Sequence, residues 1–149
     1  MFNTWIETKK LDPKVHFKII DEKQDELHIP SDLGRIASSV CSHYKTMKVD
    51  EWKHWALVYS CYCLHGVLPA DDLEIWLLFV NACFLICRPV ITKEDCKNAH
   101  DDFLEFSEKF QARYGNSLLK PNMHMVLHTK ESIEEFGPVY AFWCFAFER

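Results

Sequence analysis

Glycine is scarce in this sequence: four residues in 149, at Gly34, Gly66, Gly115 and Gly137, each far from the next. A Walker or dinucleotide loop needs clustered glycines so that backbone N–H groups can close on phosphate, and those nucleotide-binding classes are therefore excluded. Proline is sparse as well, with six residues, while hydrophobic residues reach 48% and include 11 Phe, 5 Trp and 5 Tyr. That composition builds a core and is not that of a disordered chain. An excess of positive charge is also missing, since 17 Lys and Arg face 22 Asp and Glu for a net charge of −5. A free-standing domain that grips duplex DNA through its phosphates carries a basic surface. The mildest basic tilt, from Arg35 to Lys53, is diluted by Asp50 and Glu51 and reads as a solvated face.

Long hydrophobic runs are lacking too. The most apolar stretch, Ile75 to Cys87, is 13 residues long and interrupted by Asn81, short of the ~20 that a membrane helix requires. It reads as a buried core helix, and no membrane partner is expected. The opening MFNTWIETKK has no apolar run of the signal-peptide kind, and the seven cysteines are odd in number; together these predict reduced thiols in a nuclear or cytoplasmic compartment and a chain that is not secreted. The length is that of one domain or a piece of a larger protein.

The first thirty residues are rich in Lys, Asp and Glu and form a separate N-terminal segment, with one strand predicted at 15–20 from the alternation of Val15, Phe17 and Ile19 with His16 and Lys18. Pro30, Ser31 and Asp32 look like a helix start, opening a helical domain over 31–149. From Asp50 the period becomes helical: Trp52, Trp55, Ala56, Tyr59 and Cys63 share one face, and Gly66 and Pro69 end it. Asp71 or Asp72 caps a second helix running to about Arg88. Thr92 and Asp95 form a capping box for a third, in which Cys96, Ala99, Phe103, Phe106 and Phe110 step by 3, 4, 3 and 4 until Gly115. A fourth opens at Pro121 or Asn122, buries Met123, Val126, Leu127 and Ile133, and ends at Gly137. After Pro138 the run VYAFWCFAFER fits a buried helix or a strand equally. Short connections between four main helices predict an all-α, antiparallel bundle.

Few constellations carry chemistry. His124 and His128 lie one turn apart, with Glu131 and Glu135 on the same stripe, a spacing at which two imidazoles can share a metal ion. The protease motif HExxH needs Glu after the first His, and here Met125 stands there, so that mechanism lacks its general base. The preferred reading is a polar face on which His128 pairs with Glu131. Cys61 with Cys63 and His65, and Cys83 with Cys87, lie inside apolar helices without the Cys-x2-Cys knuckle of structural zinc, and read as small core hydrophobes. No cofactor is expected for this chain alone. Trp52, Trp55 and Trp76 fall on predicted buried faces, where core packing outweighs nucleobase stacking.

Taken together, HIPSDLGRI, DEWKHWALVYS with HGVLP, WLLFVNACFLIC, and YGNSLLKPNMHMVLHTKESIEEFGPVYAFWCFAFER resemble the helical segment of CACTA-type (En/Spm) DNA transposases of the fungal type, related to a plant transposon domain of unknown function. The blocks cover Pro30 to Arg149, about four fifths of the chain, and the PNMH, GPV and FW-x-F-x-FER blocks are the most specific. The chain departs at Ile36-Ala37, where the family has Ile-Pro, and at Lys48-Val49-Asp50-Glu51-Trp52, where it has Thr-Ala-Asp-Gln-Trp. The family continues past its Phe-Glu-Arg with Tyr-Asn-Gly, so the domain is expected to be truncated at its C-terminus and to lack the upstream nuclease core.

The resemblance implies the helical insertion of an RNase H-like nuclease, in which two aspartates and a glutamate hold two Mg²⁺ or Mn²⁺ ions about 3.5 to 4 Å apart for DNA cleavage and strand transfer. Glu148, at the end of the helical region, is the candidate third catalytic acid and metal ligand, acting only with upstream acids; a terminal Glu-Arg pair facing solvent is the alternative. The partner implied is transposon DNA, engaged through a larger parent protein. A lone carboxylate cannot hold two metals, so this chain by itself is expected to be inactive. The contrasting function is a non-catalytic all-α module of transposon origin that binds a protein partner.

Overall fold

The computed structural model describes residues 1–27 and 39–141. Among these residues every regular element is helical. They form two compact units, Met1–Leu73 and the residues from Glu74 on.

The first unit begins with α1 (Phe2–Glu7) and α2 (Pro13–Glu26). The strand predicted at 15–20 is thus a helix. Asp12 supplies the start, its Oδ1 accepting from the Lys14 N–H at 2.9 Å, and Pro13 occupies the first helical position, where its missing N–H removes a donor that would have no helical partner. The alternating residues were also the wrong core, since Val15 and Ile19 are exposed while Ile20 and Gln24, four apart, are buried. A period-2 pattern over three apolar residues is weak against an Asp-Pro helix start. The boundary at residue 30 lies outside the described residues, as do Pro30, Ser31 and Asp32.

The short helix α3 (Val40–His43) is tied to α2 through Asp21, whose carboxylate accepts from Ser39 Oγ at 2.6 Å and from the Cys41 N–H at 3.3 Å. The predicted helix from Asp50 exists as α4 (Val49–His54), a π-helical turn (Trp55–Tyr59) and α5 (Ser60–Leu64) in unbroken succession. Trp55, Tyr59 and Cys63 are buried as expected, while Trp52 and Ala56 of the same predicted face are half-buried. The wider π turn shifts the register, and Ser60 and Leu64 join the same buried side. Phe2 gathers this unit's aromatics: its ring lies 5.2 to 6.3 Å from those of Trp5, Phe17, Tyr44, Trp52 and Trp55. Lys23 reaches across from α2, donating to the His65 carbonyl at 2.6 Å beyond the end of α5, where a cation complements the helix dipole.

The second unit is built on α6 (Ala70–Ile86), whose first turn belongs to the first unit, and α7 (Lys93–Tyr114). Helix α6 stops at Ile86, two residues before the predicted end. The capping box of α7 is present in full: Thr92 Oγ1 accepts from the Asp95 N–H at 3.0 Å, and Asp95 Oδ2 accepts from the Thr92 N–H at 3.0 Å. Cys96, Ala99, Phe103, Phe106 and Phe110 are all buried, and Phe79 of α6 packs between Phe103 and Phe106 at 5.9 and 5.3 Å.

The fourth predicted helix is broken into α8 (Pro121–Met125), a 3-10 turn (Val126–His128) and α9 (Thr129–Phe136). Val126, Leu127 and Ile133 are half-buried rather than buried, and they pack against the cluster of Ala82, Ile86, Ala99 and Phe103. Gly115 and Gly137 end α7 and α9 with φ of 81° and 87° and extended ψ, a region open essentially to glycine alone. After Pro138 the chain makes a 3-10 turn (Val139–Ala141); the rest of the apolar run lies outside the described residues. None of the described helices is long and apolar enough to cross a membrane.

Candidate functional site

The segment from Pro121 to Phe136 carries the histidine pair. Pro121 at the first position starts α8, and the 3-10 turn then tightens the chain before α9, with His128 standing between the two. Ser132 Oγ donates to the His128 carbonyl at 3.0 Å and holds this corner. His124 and His128 are both exposed, and their Nε2 atoms are 3.3 Å apart. The ring centroids are 4.9 Å apart with planes at 81°, so the Nε2 edges face each other. Where the sequence pointed to Glu131 as the partner of His128, the imidazole turns to His124.

A second feature is an open cleft of about 670 Å³ between the start of α7 and α9, lined by Thr92, Cys96, Lys97, Lys130, Ile133 and Glu134 among others. Its size is that of a small-molecule site. Its lining mixes cations with carboxylates, and burial, followed by Glu134, pushes the pKa of its one thiol, Cys96, up. Three other thiols behave alike. Burial raises Cys63 to about 11 and Cys83 to about 12, and it raises Cys41 further, with Asp21 adding to the effect. A reactive cysteine needs its pKa lowered toward neutrality, and burial acts against that at Cys41, Cys63, Cys83 and Cys96.

Glu148, the candidate third acid, lies outside the described residues, as do Trp143 and the FER block. Among the described residues no three His, Cys, Asp or Glu side chains converge as a metal-holding group. A pair of Mg²⁺ or Mn²⁺ ions needs several converging carboxylates, and no cleavage step is assigned to the described residues. Sequence reading found the histidine spacing but not the approach of the two rings, because the side-chain rotamers that bring the Nε2 atoms together have no composition signal. The cleft was missed altogether; Lys93, Lys97 and Lys130 around a helix start were its one visible trace. Neither protein-family models, curated proteins nor solved structures contain a match to this chain.

Proposed function

We propose that this chain is a transposase-derived fragment: the helical insertion of a CACTA-like DDE transposase, an antiparallel bundle of four main helices on an RNase H-like nuclease, inactive in DNA cleavage by itself. The observation that supports the reading is the helical character of three described blocks of the resemblance, with HGVLP forming the turn that follows α5. DEWKHWALVYS runs through α4, the π turn and the start of α5; WLLFVNACFLIC lies on α6; and PNMH opens α8. The insertion's task in such an enzyme is to scaffold the third acid, the role assigned to Glu148, while phosphate contacts come from basic residues elsewhere in the parent.

The test uses an open frame extended through the neighbouring genomic sequence, assayed for Mg²⁺- or Mn²⁺-dependent cleavage of DNA bearing the element's ends. An upstream frame with two well-placed aspartates, active as parent and reduced by several orders of magnitude in Glu148→Gln with DNA binding retained, supports the reading. A Gln variant cleaving at the parental rate assigns the third acid elsewhere.

One observation favours the alternative of a protein-binding module without catalysis. Helix α6 is apolar on nearly every side, and Phe84 and Leu77 on it are 55% and 39% exposed; a helix hydrophobic all round is ordinarily covered. An extended frame without acids, together with a protein complex lost on Phe84→Ser, would establish that role instead.

A further inference from the structure

We propose that His124 and His128 form a two-histidine chelate for an exchangeable divalent transition ion, with Zn²⁺ the ion that fits best. The argument is metric. A tetrahedral zinc with Zn–N bonds of about 2.0 to 2.1 Å places two ligand nitrogens about 3.3 to 3.4 Å apart, and the Nε2···Nε2 separation is 3.3 Å. A square-planar ion with bonds of similar length would bring adjacent nitrogens to about 2.8 to 3.0 Å, and Mg²⁺ prefers oxygen ligands. An imidazole–imidazole hydrogen bond is the competing account of this contact. The 3.3 Å distance fits an N–H···N bond as well, and the two accounts part on whether either Nε2 keeps its proton.

The backbone prepares the pair. The i, i+4 spacing places the two side chains on one side of the segment, and the Ser132 bond to the His128 carbonyl fixes the backbone there, which lowers the ordering cost of chelation. Both rings are exposed, so an ion can enter and leave. Two protein ligands leave the remaining positions to water, as in sites that exchange or act and unlike closed structural zinc. Each ring binds through a neutral Nε2 and keeps its proton on Nδ1. The inference does not depend on the transposase reading.

The test is a ZnCl₂ titration of the full chain, followed by calorimetry and by imidazole ¹H–¹⁵N NMR, which separates these rings from the other histidines and from the thiols. About one equivalent of zinc should move the Nε2 signals of His124 and His128 together and leave both rings as Nδ1–H tautomers. His124→Ala, and separately His128→Gln, should each weaken zinc binding at that site by about 100-fold or more, beyond the roughly 10- to 100-fold that loss of an outer-shell partner costs. His65→Ala, a substitution in the first unit, should change nothing at these rings. Circular dichroism checks that each variant remains folded. Unmoved ring signals at millimolar zinc, or a His124→Ala chain that binds as the parent does, would overturn the chelate and leave the contact as a hydrogen bond.

Discussion

The two units bury aromatic rings by opposite means. In the second, a single helix supplies the seam: Phe103, Phe106 and Phe110 step along α7, and neighbouring rings lie 5.9 Å apart between Phe106 and Phe110. In the first, each segment supplies one or two rings. Phe2 and Trp5 come from α1, Phe17 from α2, Tyr44 from the end of α3, and Trp52 and Trp55 from α4 and the π turn. A local seam stabilises its own helix as it packs, whereas a cluster assembled from four segments forms only when all four are in place. The comparison teaches that equal burial can rest on very different numbers of chain segments.

The sharpest way to break this contrast is to remove one ring from each unit. Phe2→Ala and Phe103→Ala each delete a buried ring at an expected cost of about 3 to 5 kcal/mol. Hydrogen exchange should separate them. Phe2→Ala should deprotect α1, α2 and the π turn together, because its ring touches all of these segments, while Phe103→Ala should act on α6, α7 and the 126–139 segment packed around it. Protection lost only within α1 after Phe2→Ala would show that the first unit's aromatic cluster is not cooperative.

A smaller effect is expected from the helix ends. Gly137→Ala should destabilise by about 1 to 3 kcal/mol through backbone strain alone, since an added Cβ would meet no atom within 4 Å. The first unit ends α1 differently, with Lys9 at a φ of 57°, a left-handed conformation that costs a non-glycine residue roughly 1 to 2 kcal/mol. Lys9→Gly should recover part of that and raise the melting temperature. Opposite signs for these two substitutions are the result to look for in thermal unfolding; a loss of stability in both would mean that Lys9 is held by contacts worth more than its strain.

Smaller again is the cap of α7. Thr92→Ala should cost about 1 kcal/mol, read from urea unfolding. The Thr92 N–H, then its hydroxyl, hold the Asp95 pKa below the usual carboxylate range. A lowered folded-state pKa contributes stability that is complete above the unfolded value of about 3.9 and is lost as pH falls through the folded value. The advantage of the parent over Asp95→Asn should therefore be constant near neutrality and shrink in acid. An advantage that grew on acidification would contradict the cap. The smallest effect belongs to the exposed ion cluster of Lys109 with Glu74 and Glu105: Lys109→Met should leave the melting temperature nearly unchanged, with any difference vanishing in high salt.

Legibility followed the same division. The 3, 4, 3, 4 seam, the Thr92–Asp95 box and the glycine stops were all readable because each depends on residues within one or two turns of one another. The strand predicted at 15–20 failed because Phe17, Ile20 and Gln24 make sense as one face only against partners far away in the chain. The candidate site was half legible: the spacing of His124 and His128 was plain, the approach of their Nε2 atoms was not.

By itself the sequence determined that the described chain would be helical over most of its second half, where α7 begins and ends, and which side of α7 is buried. These follow from local forces, namely dihedral preference, capping and the 3.6-residue period. Only the tertiary structure decided which side of α2 is buried, that Trp55 to Tyr59 widen into a π turn, that Phe2 gathers the rings of the first unit, and that the two imidazoles turn toward each other to 3.3 Å. The reason is physical. Each of those features depends on contacts between residues distant in the chain, or on a backbone or side-chain adjustment with no propensity signal of its own, and neither leaves a periodic trace in the order of the amino acids.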